Sequence, residues 1–423
     1  MTRCKFLLTL AWASAWSRRG TLALVVFSIA LSTTLLLGME RIRTQVRENF
    51  VQAVSGTDLV VGARGSELQL LLYAVFHMGK ASNNMSWESA QRLAQRPDVA
   101  WTIPVSLGDS HKGFAVVATT ADFFTLYQYR RRAALQFAQG SAFDGIFDVV
   151  LGAEVAAREH YKLGDRVQLS HGTGDTRLSL HADKPFAVCG ILAPTGSPVD
   201  RALYISLAAM EAIHIDWQGG APTPGFHVRP YQVSKFNLTP KTVTAVLVGL
   251  KNRARVFAAQ REINADRQEA LMGVMPGVAL DQLWSLLRTG ESALRALSWL
   301  VTVAGLAGLV ATILAGLGER RRELAVLRAA GARPQDIVAL LSLESLLLVL
   351  AGTLTGTAIT ATLLAVFSPV LASGYGLSLS LSWPTTSEWQ LLGAINGAGF
   401  LAGLIPAWRA YRISLADGLN TSA

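Results

Sequence analysis

The chain has 423 residues, 51% of them hydrophobic and only 16% charged, with a formal net charge of +9. So low a charged fraction excludes an ordinary soluble surface, and the apolar excess has to sit in lipid or in a very large core. Nor does the positive charge mark a nucleic-acid binder, because part of it lies beside apolar runs, where anionic lipid attracts it.

Residues 1–20 open the chain. Phe6, Leu7, Leu8, Leu10, Trp12 and Trp16 precede Arg18 and Arg19. Tryptophan favours the headgroup level, so the segment reads either as a cytoplasmic interfacial helix or as an extension of the first span. Residues 21–39 carry no charge until they meet Glu40. At 1.5 Å rise per residue such a run crosses a hydrocarbon layer of ~30 Å. A signal peptide is the competing reading, but the run exceeds a usual signal core and no A-x-A site follows, so an uncleaved anchor is expected.

Three more runs of this kind occupy 296–318, 345–368 and 390–408. Arg3, Lys5, Arg18 and Arg19 before the first span, Arg320, Arg321, Arg322, Arg328 and Arg333 between the second and third, and Arg409 and Arg412 after the fourth place both termini and the middle loop in the cytoplasm. The loop 369–388 has neither Lys nor Arg and lies outside. The segment 40–293 is then extracytoplasmic. Arg41, Arg43 and Arg47 stand just past the first span and run against this charge rule. Cys4 and Cys189 fall on opposite sides of the membrane, so no intrachain disulfide is expected.

Within 40–293 the segments around 41–54 and 278–297 read as helical stalks. Between them lie short β-rich runs at 58–62, 114–120, 148–152, 166–170, 186–192, 202–207 and 244–250, with helices at 87–95 and 252–265. That mixture predicts an α+β domain. Residues 143–240, whose loops are rich in Gly, Pro, Asp and Ser, read as a β-rich subdomain. All seven histidines (His77, His111, His160, His171, His181, His214 and His227) fall in this outer segment. None has the i, i+4 helical or H-x-H strand spacing that makes a metal site strong, so no metal site is expected. No catalytic constellation appears either.

The cytoplasmic segment 319–337 is the most informative. Glu319, Arg320, Arg321, Arg322, Glu323, Leu324, Leu327 and Arg328 fit a short charged helix with a leucine side, Gly331 ends it, and Pro334 starts the next. A rigid amphipathic helix between two spans is a docking element in physical terms; the bland alternative is a basic inside loop. Small residues four apart, Gly352 with Gly356, Gly393 with Gly397, and Gly399 with Gly403, let helices approach closely, within one bundle or between two copies. Glu344 is costly if it faces lipid and is expected at the membrane edge, bonded to the Arg-rich loop.

The segment Glu323, Leu324, Ala325, Arg328, Ala329, Ala330, Gly331 and Ala332 resembles the coupling-helix signature of MacB/FtsX-like ABC transporter permeases. The ending at 405–419 and the DVVLGAEVA and KPFAVCGIL segments resemble other parts of that family, and the likeness covers the whole chain. Leu324 and Ala325 replace a common Ile-Gly, and Leu415 replaces a usual Pro. The resemblance implies an α-helical membrane protein with four transmembrane helices and a large α+β extracytoplasmic domain, set in a bacterial inner membrane with that domain in the periplasm. It also implies a non-catalytic permease subunit, driven by a dimer of ATPase subunits that bind ATP and Mg, with no cofactor in this chain. A second permease copy, identical or paralogous, would complete the complex, and Glu319, Arg328, Gly331, Ala332 and Pro334 with their neighbours would dock the ATPase. Gly79-Lys80 is no phosphate loop, since Ala74 stands where Gly is needed and Ala81 where Ser or Thr is needed. A periplasmic adaptor, lipoprotein or binding protein is a further expected partner, alongside membrane lipid. Lipoprotein release, export of a periplasmic substrate and control of a cell-wall hydrolase are all outputs within the family. A receptor or scaffold without an ATPase is the reading from another class.

Overall fold

The structure is a computed structural model; it describes residues 19–412 except 55, 80–82, 130–132, 173–180, 182, 219–220, 320–327, 329–330 and 376–382. Four long helices carry apolar stretches sufficient to cross a membrane. They are α1 (Arg19–Ala53), α7 (Pro276–Glu319), α8 (Pro334–Tyr375) and α9 (Thr386–Arg412), and each contains one of the expected spans. The first two are far longer than a bilayer requires. Each runs unbroken from its apolar stretch into the expected stalk; neither stalk holds an internal Pro, and Gly290 in the second keeps a negative φ.

The chain divides into two units, one holding 1–45, 288–369 and 379–423, the other 46–287 with 370–378. In the membrane unit Leu24, Phe27, Leu300, Leu354 and Leu401 are exposed, an arrangement stable only with lipid around it. Its interior holds a buried aliphatic cluster that includes Ile29, Leu309, Ile313, Leu341, Val349 and Ile395, with hydroxyl groups interleaved. Ser32 on α1 hydrogen-bonds Thr302 on α7, and Thr34 on α1 donates to the Gly356 carbonyl on α8 at 3.1 Å. Asn396 on α9 donates to Thr353 on α8 at 3.5 Å. Helix α1 therefore packs on both α7 and α8, and α8 on α9.

The outer unit is built on one eleven-stranded sheet. Its longer strands are β1 (Leu59–Ala63), β2 (Val99–His111), β3 (Phe114–Thr119), β4 (Phe137–Gly140), β5 (Asp148–Leu151), β6 (Phe186–Leu192), β7 (Ala202–Ser206), β8 (Ala245–Leu250) and β9 (Leu271–Val274). Their spatial order is β9-β1-β8-β2-β3-β7-β5-β6-β4, with the short pair Ser170–His171 added to β2 and Arg166–Val167 to β6. Pairing is antiparallel except at β3/β7 and β5/β6. Lys112 and Gly113, both at positive φ, make the two-residue turn that joins β2 to β3.

Two apolar layers cover the faces. On one, Val61, Val116, Val149, Val188, Leu203 and Val246 pack against helices α3 (Trp87–Ala94), α4 (Ala153–Glu159), α5 (Leu207–His214) and α6 (Val256–Asn264). On the other, Val60, Ile103, Val117, Val150, Tyr204 and Leu247 pack against α2 (Glu67–Ala74), Ala53 of α1 and Leu280 of α7. The region 143–240, expected to stand as a β-rich subdomain, lends β5, β6 and β7 to the common sheet rather than forming one of its own. β2 is the seam. Its first half pairs with β8 and its second with β3, joining the two ends of the sequence to the middle.

Candidate functional site

The family-bearing features lie at the two ends of the membrane unit. Between α7 and α8, residues 320–327, 329 and 330 fall outside the described residues, so the expected docking helix is seen only at its borders. Glu319 is the last residue of α7. Gly331 has φ +94°, a conformation that L side chains rarely adopt, and its N–H bonds the Arg328 carbonyl at 3.0 Å, which turns the chain there. Pro334 occupies the first turn of α8, where its missing N–H costs nothing, and Asp336 accepts the Arg333 N–H at 2.9 Å. Arg328 reaches across to the Tyr411 carbonyl at 3.2 Å, linking this turn to the end of α9. Ala332 lies in the link between Gly331 and α8.

The small-residue pairs divide cleanly. A Cβ on Gly352 would lie 2.7 Å from the Ile29 side chain, and one on Gly356 would lie 2.6 Å from the Ala30 carbonyl, so these two admit α1. Gly399 and Gly403 admit Val349 and Ser345 of α8. A Cβ on Gly393 or Gly397 would meet nothing from other elements within 4 Å among the described residues. Glu344, next to the start of the third apolar run, is buried within the bundle, 4% exposed.

At the outer end the three arginines that defy the charge rule are each paired with acid. Arg41 holds Glu388 through two bonds of 2.8 and 3.1 Å, both side chains nearly buried. Glu388 also accepts the Thr385 N–H at 2.9 Å, so one carboxylate caps α9 and ties it to α1. Arg43 meets Glu291 of α7 at 2.8 Å, and Arg295 of α7 meets Glu40 at 3.6 Å. Arg47 faces Asp281 at 3.4 Å on the surface. All three arginines thus tie α1 to another long helix, Arg41 to α9 and Arg43 and Arg47 to α7.

In the outer unit three of the seven histidines, His171, His181 and His214, converge on Asp109. Sequence spacing gave no sign of this, because each ligand atom arrives from a different element. His111 is occupied elsewhere, with its ring nitrogens 2.6 Å from the Gln168 carbonyl and 3.0 Å from the Tyr161 hydroxyl.

Residues 20–266 match the family described as MacB-like periplasmic core domain, and residues 295–415 match the FtsX-like permease C-terminal family. The first match alone covers more than half of the chain. The chain belongs to the MacB/FtsX-like permease family. Its members are permease subunits of ABC transporters, which implies an ATPase as partner and a membrane protein with an extracellular domain. Among solved structures, the chain is similar to the periplasmic region of MacB from Actinobacillus actinomycetemcomitans, at 9% identity and a TM-score of 0.32, covering 55% of this chain and 97% of that one. It is similar too to the extracellular domain of the noncanonic ABC-type transporter YknZ from Gram-positive bacteria, at 12% identity and a TM-score of 0.30, covering 51% and 98%. No curated protein matches the chain.

Proposed function

We propose that this permease converts ATP hydrolysis by a separate ATPase subunit into motion of its outer domain, and that the motion serves lipoprotein release or export of a periplasmic substrate. The observation that carries this reading is the continuity of α1 and α7. Each is a single helix holding both an apolar span and a stalk, and backbone hydrogen bonds along such a helix resist bending, so a displacement at one end is carried to the other. The polar groups of the bundle support it as well. Ser32 and Thr302 bond each other, Thr33, Thr34 and Thr360 bond backbone carbonyls, and Arg41 and Glu388 neutralise each other, which suits a bundle that moves as a piece better than one that opens a polar path.

The segment from Glu319 to Pro334 is the proposed docking element for the ATPase, with Gly331 fixing the turn that presents it. The bound ATP and Mg belong to the partner. The full-length permease, purified with its ATPase in lipid nanodiscs, provides the test. Gly331→Pro forces φ to about −65° where +94° is needed, and is expected to lower permease-dependent ATPase stimulation at least about tenfold while the permease remains folded. Failure to co-purify any ATP-binding subunit, or full stimulation by the Gly331→Pro protein, would sink the reading.

A further inference from the structure

Asp109 reaches the histidines because of one irregularity in β2. Leu107 pairs with Val117, but the next pair is Asp109 with Val116, so Gly108 is an additional residue in the ladder. Directly opposed residues share a face. Leu107 and Val117 lie in the layer that covers α2, whereas Val116 lies in the layer that covers α5. The bulge thus turns the Asp109 carboxylate toward α5. The Gly108 carbonyl accepts the Gly172 N–H at 2.9 Å, which clamps the neighbouring short strand and sets His171 directly opposite Asp109.

The other two ligand groups come from elsewhere. His214 is the last residue of α5, and its Nδ1 lies 2.8 Å from the Met210 carbonyl, so Nδ1 carries the proton and Nε2 faces inward with its lone pair. The backbone of His181 is held by its N–H to the Leu169 carbonyl at 2.8 Å, and its ring lies against Trp217 with centroids 4.2 Å apart. His171 Nδ1 is 3.1 Å from Asp109 Oδ1 and 3.0 Å from His214 Nε2, His214 Nε2 is 3.5 Å from Asp109 Oδ1, and His181 Nε2 is 4.0 Å from Asp109 Oδ2. Ligands at 2.0–2.1 Å around one tetrahedral ion would stand about 3.3 Å apart.

Hydrogen bonding alone does not account for the cluster. A proton on His171 Nδ1 can serve Asp109 Oδ1 or His214 Nε2. Asp109 Oδ2 and both ring nitrogens of His181 are nonetheless buried with no hydrogen-bond partner among the described residues, and both side chains are 0% exposed. Groups so buried are normally satisfied. A nearby second group, Asp183, Asp216 and His227, differs in this respect. There the buried Lys184 ammonium already sits 2.5 Å from Asp216 Oδ1 and supplies the positive charge.

We infer that Asp109, His171, His181 and His214 form a binding site for a divalent transition-metal ion of the zinc class. Three imidazoles and one carboxylate are a donor set suited to Zn²⁺ and poorly suited to Mg²⁺ or Ca²⁺, which take oxygen ligands. His171, 37% exposed, gives the ion a way in from solvent. The ion would pin the short strand at His171, the backbone around His181 and the end of α5 to β2.

The test uses the full-length protein in detergent without a histidine tag, stripped with chelator and titrated with Zn²⁺. About one zinc per chain should survive gel filtration, and zinc should raise the unfolding temperature. Asp109→Asn and His181→Gln should weaken zinc binding at least about tenfold and abolish the rise, since loss of even a supporting group costs that much. His171→Asn, at the exposed corner, should do the same and covers the case in which the buried variants do not fold. His227→Ala should bind as the parent does. Overturning results would be a parent protein that keeps less than about one zinc in ten chains, undiminished binding by the folded Asp109→Asn, His181→Gln or His171→Asn proteins, or loss of the zinc in His227→Ala.

Discussion

The membrane unit and the outer unit solve different packing problems. In the membrane unit large side chains lie both inside, as Ile29, Leu309 and Leu341 do, and outside, as Leu354 does, while Ser32, Thr302, Thr34 and the glycines of α8 and α9 mark the close approaches between helices. In the outer unit the large aliphatic residues lie mainly inside, in two layers on one sheet. Lipid removes the hydrophobic drive between helices, so close approach and a few polar bonds decide membrane packing, whereas water makes apolar area the main term outside. A polar substitution inside the bundle and an apolar one inside the sheet should therefore fail for different reasons.

The sharpest break in that contrast is the Arg41–Glu388 pair, a charged tie whose two side chains are nearly buried in the membrane unit. Glu388→Ala removes the partner of a nearly buried guanidinium and uncaps α9. The expected loss is about 3 kcal/mol, the range for breaking a buried ion pair from one side, read as a fall in unfolding temperature in detergent. An undiminished transition would show that the pair adds nothing.

Next in size come the glycines. Gly356→Leu drives a side chain into the Ala30 backbone and Thr33, and should cost about 1–3 kcal/mol, as overpacking does. Gly397→Leu enters open space and should leave the unfolding of the isolated chain within about 0.5 kcal/mol of the parent. Equal effects at the two sites would mean that the helices do not pack as described.

The smallest effect belongs to the outer unit. Glu269 accepts the Ser86 N–H at 2.8 Å and bonds the hydroxyls of Ser86 and Ser89. Burial pushes its carboxyl up, but those bonds outweigh it and hold it below its ordinary value. Its contribution is therefore complete above the unfolded value of about 4.3 and disappears as pH falls through the lower folded value. Glu269→Gln should cost about 1 kcal/mol at neutral pH and nothing at the acid end. Stability curves against pH that run parallel for the two proteins would refute the assignment.

Much of this architecture is legible in the chain itself, and the reasons differ by element. The four spans follow from hydropathy alone, because one property summed over about 20 residues decides membrane insertion. Strands 114–119 and 186–192 announce themselves by β-branched runs. β2 does not, since Pro104 and Gly108 interrupt it, and only its two partners, β8 and β3, show why a strand survives there. The segment at 319–334 is readable as a motif, while the sorting of the glycines into covered and open needed neighbours from other helices. The Asp109 cluster was invisible, because no local period links positions 109, 171, 181 and 214. Sheet register and the end of α5 bring them together.

Gly108 gives that register a further meaning. Side chains along a strand alternate with a period of two, so a single additional residue is a change of parity for everything that follows it. A chain in which Gly108 took a regular place in the ladder, opposite Val116, would keep its composition, its charge and all four ligand residues, yet its aspartate would stand opposite Ala115, on the other side of the sheet from His214. The chemistry of the cluster is written in four side chains, but whether they ever meet is decided by a residue that has none.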